Sequence, residues 1–271
     1  MREKFRNLQS CFSFFSKKLV DAPEVNSRGS AQKELIFCNF EITDPADINI
    51  NIAERKFSKN YALAEWLWYV SGDPDVKNIG KLASLWTRIC DDKNQVESNY
   101  GFYLRPQWNW VKNELVNDSD TRRATFVINQ PYHKIKNNLD YPCTQYLQFF
   151  IRDNKLHLGV SMRSNDLVFG LCNDVFTFCL FQQLMLNELK DAGLEIELGS
   201  YFHHAGSLHV YSRHYGMIEE ISAKEYPPPE LKLYLNENFT LNNCLNLPSA
   251  DMEKKELLNY VSHAEKVLFN D

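Results

Sequence analysis

The sequence predicts an α+β fold, strands and helices mixed within one domain, and three features carry that prediction. Residues 145–152 and 155–162 are strand-like runs that meet at Asp153-Asn154, the pattern of a β-hairpin. Residues 174–191 are apolar through nearly all of their first half and have the length of a central helix. Helical and extended stretches do not alternate regularly, which disfavours a doubly wound parallel sheet.

Each element has its own signal. Phe5, Leu8, Phe12, Phe15 and Leu19 recur at helical spacing and predict an amphipathic helix within residues 1–25. After a polar stretch at 26–32, residues 34–40 read as a strand. Residues 61–71 are largely apolar and predict a buried helix, ended by Gly72-Asp73-Pro74. A further helix is expected at 106–117, with Trp108 and Trp110 near its start, and a strand at 125–129. Gly193 marks the end of the central helix, and a short strand is expected at 208–211. Pro227-Pro228-Pro229 interrupts the C-terminal part, and a charged helix is expected from Asp251. No repeat and no linker rich in Gly, Ser or Pro divides the chain, so residues 1–271 are expected to form a single domain.

Composition narrows the function. The 271 residues are 44% hydrophobic, enough for a sizeable core, and the net charge of −5 argues against direct binding to a nucleic-acid backbone. No apolar run approaches the roughly 20 residues of a membrane span, so no membrane partner is expected. The basic start has only a short apolar patch at residues 11–15 and lacks the features of a secretory leader. Seven cysteines, odd in number and without a CxxC pair, point away from disulfides and zinc and toward a reducing, cytoplasmic compartment. His203-His204 has no further ligand at metal spacing, so no metal is assigned.

Individual residues leave alternatives open. Cys143, directly before a strand, is either a nucleophile at a pocket mouth or a buried structural thiol. Arg163-Ser164-Asn165-Asp166 suits one phosphate or a solvated turn. Arg122 and Arg123, at an expected strand start, would point to opposite faces. Glu65 within its apolar helix is either paired in the core or kept to handle a proton. His209 and Tyr211, two apart in a strand, share a face and suit a sugar hydroxyl, or form a satisfied structural pair.

Taken in order, Arg122-Arg123, Pro142-Cys143, Arg163-Ser164-Asn165-Asp166, Gly170 and His209-Val210-Tyr211 resemble the thymidylate synthase family. Upstream, Ser27-Arg28-Gly29-Ser30 is similar to the family's mobile phosphate-binding loop, Glu65-Trp66-Leu67-Trp68-Tyr69 to its glutamate-bearing helix, and Trp86 with Tyr100-Gly101 to its cofactor-side walls. The match runs over residues 26–215. Ser98-Asn99-Tyr100-Gly101, Asn173-Asp174 and the run from Gly206 to His214 are more similar to the phage deoxycytidylate hydroxymethylase branch. Thymidylate synthases have asparagine where Asp174 stands. Its amide suits uracil, whereas a carboxyl with one proton suits the reversed donor and acceptor order of cytosine. Capping of the following helix is the competing role for Asp174.

The resemblance implies a folate-dependent transfer of one carbon from 5,10-methylenetetrahydrofolate to C5 of dCMP, giving 5-hydroxymethyl-dCMP. The alternative is a methyl-forming synthase acting on dCMP or dUMP, or a CMP hydroxymethylase. Cys143, its pKa depressed by Arg163, would be the nucleophile, with Glu65, Tyr100 and Asp174 as the other catalytic groups. Arg28, Arg163 and Ser164 would hold the phosphate, with Arg122 and Arg123 donated across a homodimer formed through the sheet. His209 and Tyr211 would hold the sugar, while Trp86, Asp166 and Gly170 would line the folate pocket. The implied compartment is the cytoplasm, the host's if the chain is phage-encoded. Thr144 replaces the family's usual histidine after the cysteine, and the divergent segment 216–271 lacks the apolar terminal motif that seals folate.

Overall fold

The computed structural model describes residues 2–135, 139–229 and 231–269. Among them, eight strands form one mixed sheet: β1 (Glu3–Phe5), β2 (Glu24–Ser27), β3 (Ser30–Ile42), β4 (Thr125–Val127), β5 (Thr144–Arg152), β6 (Lys155–Met162), β7 (Asn165–Asp166) and β8 (Glu197–Tyr211). The order across the sheet is β1-β3-β8-β6-β5-β4, with β2 paired to β3 and β7 to β8. The helices are α1 (Leu8–Val20), α2 (Lys59–Ser71), α3 (Ile79–Leu82), α4 (Ser84–Ile89), α5 (Tyr100–Asn117), α6 (Cys172–Asp191), α7 (Tyr215–Ser222) and α8 (Lys254–Leu268).

Local chemistry explains these elements. The Asn7 side chain accepts from Ser10 N at 2.9 Å and starts α1, which buries Leu8, Cys11, Phe12, Phe15 and Leu19. Phe5, expected in that helix, lies instead in β1, its ring packed on Phe14 and Phe15. The β5–β6 hairpin turns at Asp153 and Asn154, with φ of 51° and 54°; two positive φ values match the right-handed strand twist, and Asp and Asn tolerate them. Helix α2 ends where Gly72 adopts φ 67°.

Two elements differ from expectation. Helix α5 starts at Tyr100, six residues before Pro106, because Asn99 caps it by accepting from Phe102 N at 3.0 Å. A Cβ at Gly101 would fall 1.5 Å from the Tyr69 carbonyl, so only glycine allows α2 and α5 to meet there. Strand β8 runs for fifteen residues rather than four. Its inward residues Gly199, Tyr201, His203 and Ala205 alternate correctly, but glycine and histidine hide the apolar pattern.

Helix α6 is the centre of the core. The stretch Leu167–Asp191 is in fact long and apolar enough to cross a membrane, contrary to the expectation, yet 83% of its apolar 18-residue window is buried inside the protein. Its polar side chains hold the C-terminal part of the chain. Gln183 donates to Leu233 O and accepts from Leu235 N, Asn187 donates to the Asn236 and Phe239 carbonyls, and Glu188 accepts from Leu241 N. Residues 233–241 are thereby fastened to the helix that carries Asp174. Helix α8 follows, burying Leu257, Val261, Ala264 and Leu268 and pairing Glu265 with Lys59 of α2.

Candidate active site

Strand register places the cysteine beside its arginine. Because β5 and β6 are antiparallel, Cys143 just before β5 lies opposite Arg163 just after β6, and Arg163 N donates to Cys143 O at 2.8 Å. The guanidinium folds onto the same segment, with Nε donating to Pro142 O at 3.1 Å and Nη2 to Tyr141 O at 2.7 Å. A planar fork can pin a backbone in this way and still leave N–H groups free for an anion. Asp140 clamps the other side, accepting from Ser98 N at 2.7 Å and Ser98 Oγ at 2.6 Å.

Burial pushes the Cys143 thiol up, Arg163 and Arg28 pull it down, and Asp174 and Asp140 push it up again. The net direction is upward, which corrects the expectation of a depressed pKa. Two guanidiniums, one of them already bonded to carbonyls, do not outweigh desolvation and two nearby acids. The resting group is a thiol, and its proton must leave as the sulfur attacks.

Two carboxyls share the pocket. Glu65 is buried on α2, and the hydroxyl of Tyr61, one turn earlier, donates to its Oε1 at 2.5 Å. Trp86 Nε1 donates to that same hydroxyl at 3.0 Å. Desolvation raises Glu65 to about 8, against the Tyr61 hydrogen bond and with help from Asp174. Asp174 lies in the first turn of α6 and makes no capping hydrogen bond, so the cap role is not the one it plays. Its Oδ2 accepts from Asn165 Nδ2 at 2.7 Å, and burial raises it to about 7. Near neutral pH Asp174 is therefore close to its midpoint and Glu65 is largely protonated, so each can give up or take back a proton.

Tyr100 is stacked between Tyr69 at 5.0 Å and Phe178 at 5.6 Å. Burial pushes its hydroxyl well above the ordinary value, with Asp174 and Cys143 adding to the effect. It stays protonated and is not a resident base. Asp166 accepts from Phe169 N at 2.9 Å and caps a π-helical turn at Leu167–Leu171, beside Gly170.

His209 and Tyr211 share one face of β8, their rings 5.1 Å apart. Ser207 Oγ donates to Glu34 Oε1 at 2.5 Å and lies 3.3 Å from His209 Nδ1. Since the serine proton points at Glu34, its oxygen accepts from Nδ1–H, leaving His209 Nε2 as an acceptor. Arg28 sits at the tip of the β2–β3 hairpin, where Arg28 and Gly29 take φ of 51° and 79°, and its charge reaches Cys143 and Tyr211. Half-buried Ser164 lies between β6 and β7.

Arg122 and Arg123 are not brought into this pocket. Strand β4 begins only at Thr125, so both precede it, exposed, and the opposite-faces expectation fails. Arg123 pairs with Glu114 at 3.4 Å and lies over the Trp110 ring. Three residues without a predicted role hold the site together: Tyr61, Asn165 and Asp140. Tyr61 was detectable, since it stands four residues before Glu65 on one helix face. Nothing in the letters marks the other two as side-chain anchors.

A mixed sheet carrying a thiol, a backbone-pinned arginine and two protonatable carboxyls as electrostatic neighbours is the frame of a group-transferring enzyme. The thymidylate synthase family model matches residues 37–268, and the chain belongs to that family. The deoxycytidylate 5-hydroxymethyltransferase of Enterobacteria phage T4 is 32% identical over 190 residues, 61% of this chain and 76% of that protein. The thymidylate synthase of Bacillus subtilis subsp. natto is 26% identical over 233 residues, covering 80% of this chain and 78% of that one. The solved structure of thermostable thymidylate synthase A from Bacillus subtilis shares the fold with a TM-score of 0.71 at 21% identity, over 88% of this chain and 93% of that one.

Proposed function

We propose that this enzyme transfers a one-carbon unit from 5,10-methylenetetrahydrofolate to C5 of dCMP, with addition of water, giving 5-hydroxymethyl-dCMP and tetrahydrofolate. The observation that carries the reading is Asp174: a carboxyl held near neutral pKa, where an amide would suit uracil, electrostatically coupled to Cys143. A half-protonated carboxyl can donate to N3 and accept from the exocyclic amine of cytosine, and a mismatched base would leave buried polar groups unpaired.

In this scheme the Cys143 sulfur adds to C6 and loses its proton, and C5 becomes nucleophilic. The co-substrate supplies an electrophilic methylene carbon, which C5 attacks. Loss of the C5 proton and departure of tetrahydrofolate leave an exocyclic methylene on the ring. Water adds there, the sulfur leaves, and the ring regains its aromaticity. Glu65, orienting water with Tyr61 behind it, relays these protons, and Tyr100 donates a fixed hydrogen bond near C5.

Arg28, Arg163 and Ser164 would hold the phosphate, and His209 Nε2 with Tyr211 the sugar hydroxyl. For the flat co-substrate, Trp86 packed on Trp68 at 4.9 Å and the exposed ring of Phe169 beside Gly170 are suitable walls. Arg122 and Arg123 fit only as groups presented to a partner's pocket. A homodimer through the open sheet face, where Tyr146, Ile36 and Phe37 are exposed, would present them so.

The test is a panel of dCMP, CMP and dUMP with methylenetetrahydrofolate, read by product mass. The reading predicts an oxygen-bearing product from dCMP, with tetrahydrofolate released. A methyl product with dihydrofolate, or turnover of dUMP in preference to dCMP, would overturn it.

A further inference from the structure

One oxygen of Asp174 is already engaged before any nucleotide binds. Asn165 Nδ2 donates to Asp174 Oδ2 at 2.7 Å, whereas Asn165 Oδ1 is buried without a hydrogen-bond partner among the described residues. Asn165 is only 2% exposed, and β7 pairs it to Leu208 of β8, so its backbone is fixed. The fit around the pair is close. A Cβ at Gly170 would lie 2.9 Å from Asn165 Nδ2 and 3.3 Å from Asp174 Oδ2.

We propose that Asn165 is a positioning residue that sets the donor and acceptor polarity of residue 174 toward the pyrimidine edge; this rests on the cytosine reading above. A hydrogen bond donated to Oδ2 favours that oxygen as the acceptor, so the carboxyl proton resides on Oδ1. Cytosine presents N3, an acceptor, beside an amine donor. Oδ1–H then meets N3, and the second lone pair of Oδ2 meets the amine. Uracil would set N3–H against Oδ1–H and O4 against Oδ2.

The asparagine amide is reversible, which extends the argument. Turned over, Asn165 would present Oδ1 to the NH2 of an asparagine at position 174. That NH2 would use its second hydrogen for uracil O4, and the amide oxygen would accept from N3–H. One neighbour can therefore support either base, depending on which end of its amide faces residue 174.

The test is equilibrium binding of dCMP and dUMP to the full chain in four forms: unaltered, Asn165→Asp, Asp174→Asn and the double variant. Aspartate keeps the shape of Asn165 but can only accept when ionised. The proposal predicts that Asn165→Asp weakens dCMP by about 10- to 100-fold when Asp174 is retained, yet changes dUMP by less than about threefold in the Asp174→Asn background. If Asn165→Asp does not fold, Asn165→Ala, with Asp174 retained, must weaken dCMP by more than it weakens dUMP. Equal weakening of both nucleotides in both backgrounds would mark a merely structural residue, and unchanged dCMP binding would also overturn the proposal. An unaltered protein that prefers dUMP overturns the cytosine reading itself, before any Asn165 variant is compared, and this proposal falls with it.

Discussion

Removing one hydroxyl tests the proton-handling side of the pocket. Tyr61→Phe deletes the oxygen that donates to Glu65 at 2.5 Å and accepts from Trp86 at 3.0 Å, with little change of shape. It leaves two buried polar atoms without that partner, each costing about 1–3 kcal/mol, so a loss of roughly 2–6 kcal/mol is expected. For a chain of this size, each kcal/mol moves Tm by about 2–4 °C, which calorimetry resolves. The kinetic effect has a definite sign. The Tyr61 hydrogen bond holds Glu65 down against desolvation, so without it the carboxyl titrates at still higher pH. The limb of the pH–rate profile that belongs to Glu65 should move to the alkaline side. A lowered Tm with an unmoved limb would show that Glu65 is not the titrating group, and an unchanged Tm would contradict the bridging role of the hydroxyl.

Three other perturbations address separate parts of the account. Glu65 is raised to about 8 from an ordinary 4.5, so its stabilising contribution is complete below the lower value and lost as pH rises through the upper one. Glu65→Gln should therefore gain urea resistance relative to the unaltered protein progressively between about pH 5 and pH 8, and a pH-independent difference would contradict the burial argument. Arg163→Lys keeps the charge, but it loses the planar fork in which separate nitrogens reach Pro142 O and Tyr141 O and leave others for a phosphate. Turnover should fall about 100-fold through misplacement of Cys143, and near-normal kcat would remove the pinning role. Mixing inactive Cys143→Ser with inactive Arg122→Ala subunits should restore about a quarter of the activity, because half of the dimers regain one complete site. No recovery after subunit exchange would mean that the arginines are not shared.

What the sequence revealed depended on whether the signal was periodic. The β5–β6 hairpin, α2 and α6 follow apolar spacing and turn residues, and they stand close to where that spacing puts them. The start of α5 was hidden because its cap, Asn99, lies ahead of an aromatic run and Pro106 looks like a first turn. Most of β8 was hidden because Gly199 and His203 interrupt its inward apolar positions. For the site, Cys143, Arg163, Glu65, Tyr100 and Asp174 could be named because the order of motifs along the chain is distinctive, and the structure places them close enough to feel one another's charge. The balance of charges could not be read. Whether Arg163 or desolvation governs the thiol depends on packing in three dimensions, and so does the bond from Asn165 to Asp174.

The most direct measurement of the central claim is the intact mass of the protein after incubation with 5-fluoro-dCMP and methylenetetrahydrofolate. Fluorine at C5 cannot leave as a proton does, so the scheme stalls with sulfur, pyrimidine and folate joined. The account predicts a mass increase equal to nucleotide plus folate, mapped to the peptide containing Cys143, and faster trapping than with 5-fluoro-dUMP. An unmodified protein, an adduct on another residue, or faster trapping by the uracil analogue would contradict it.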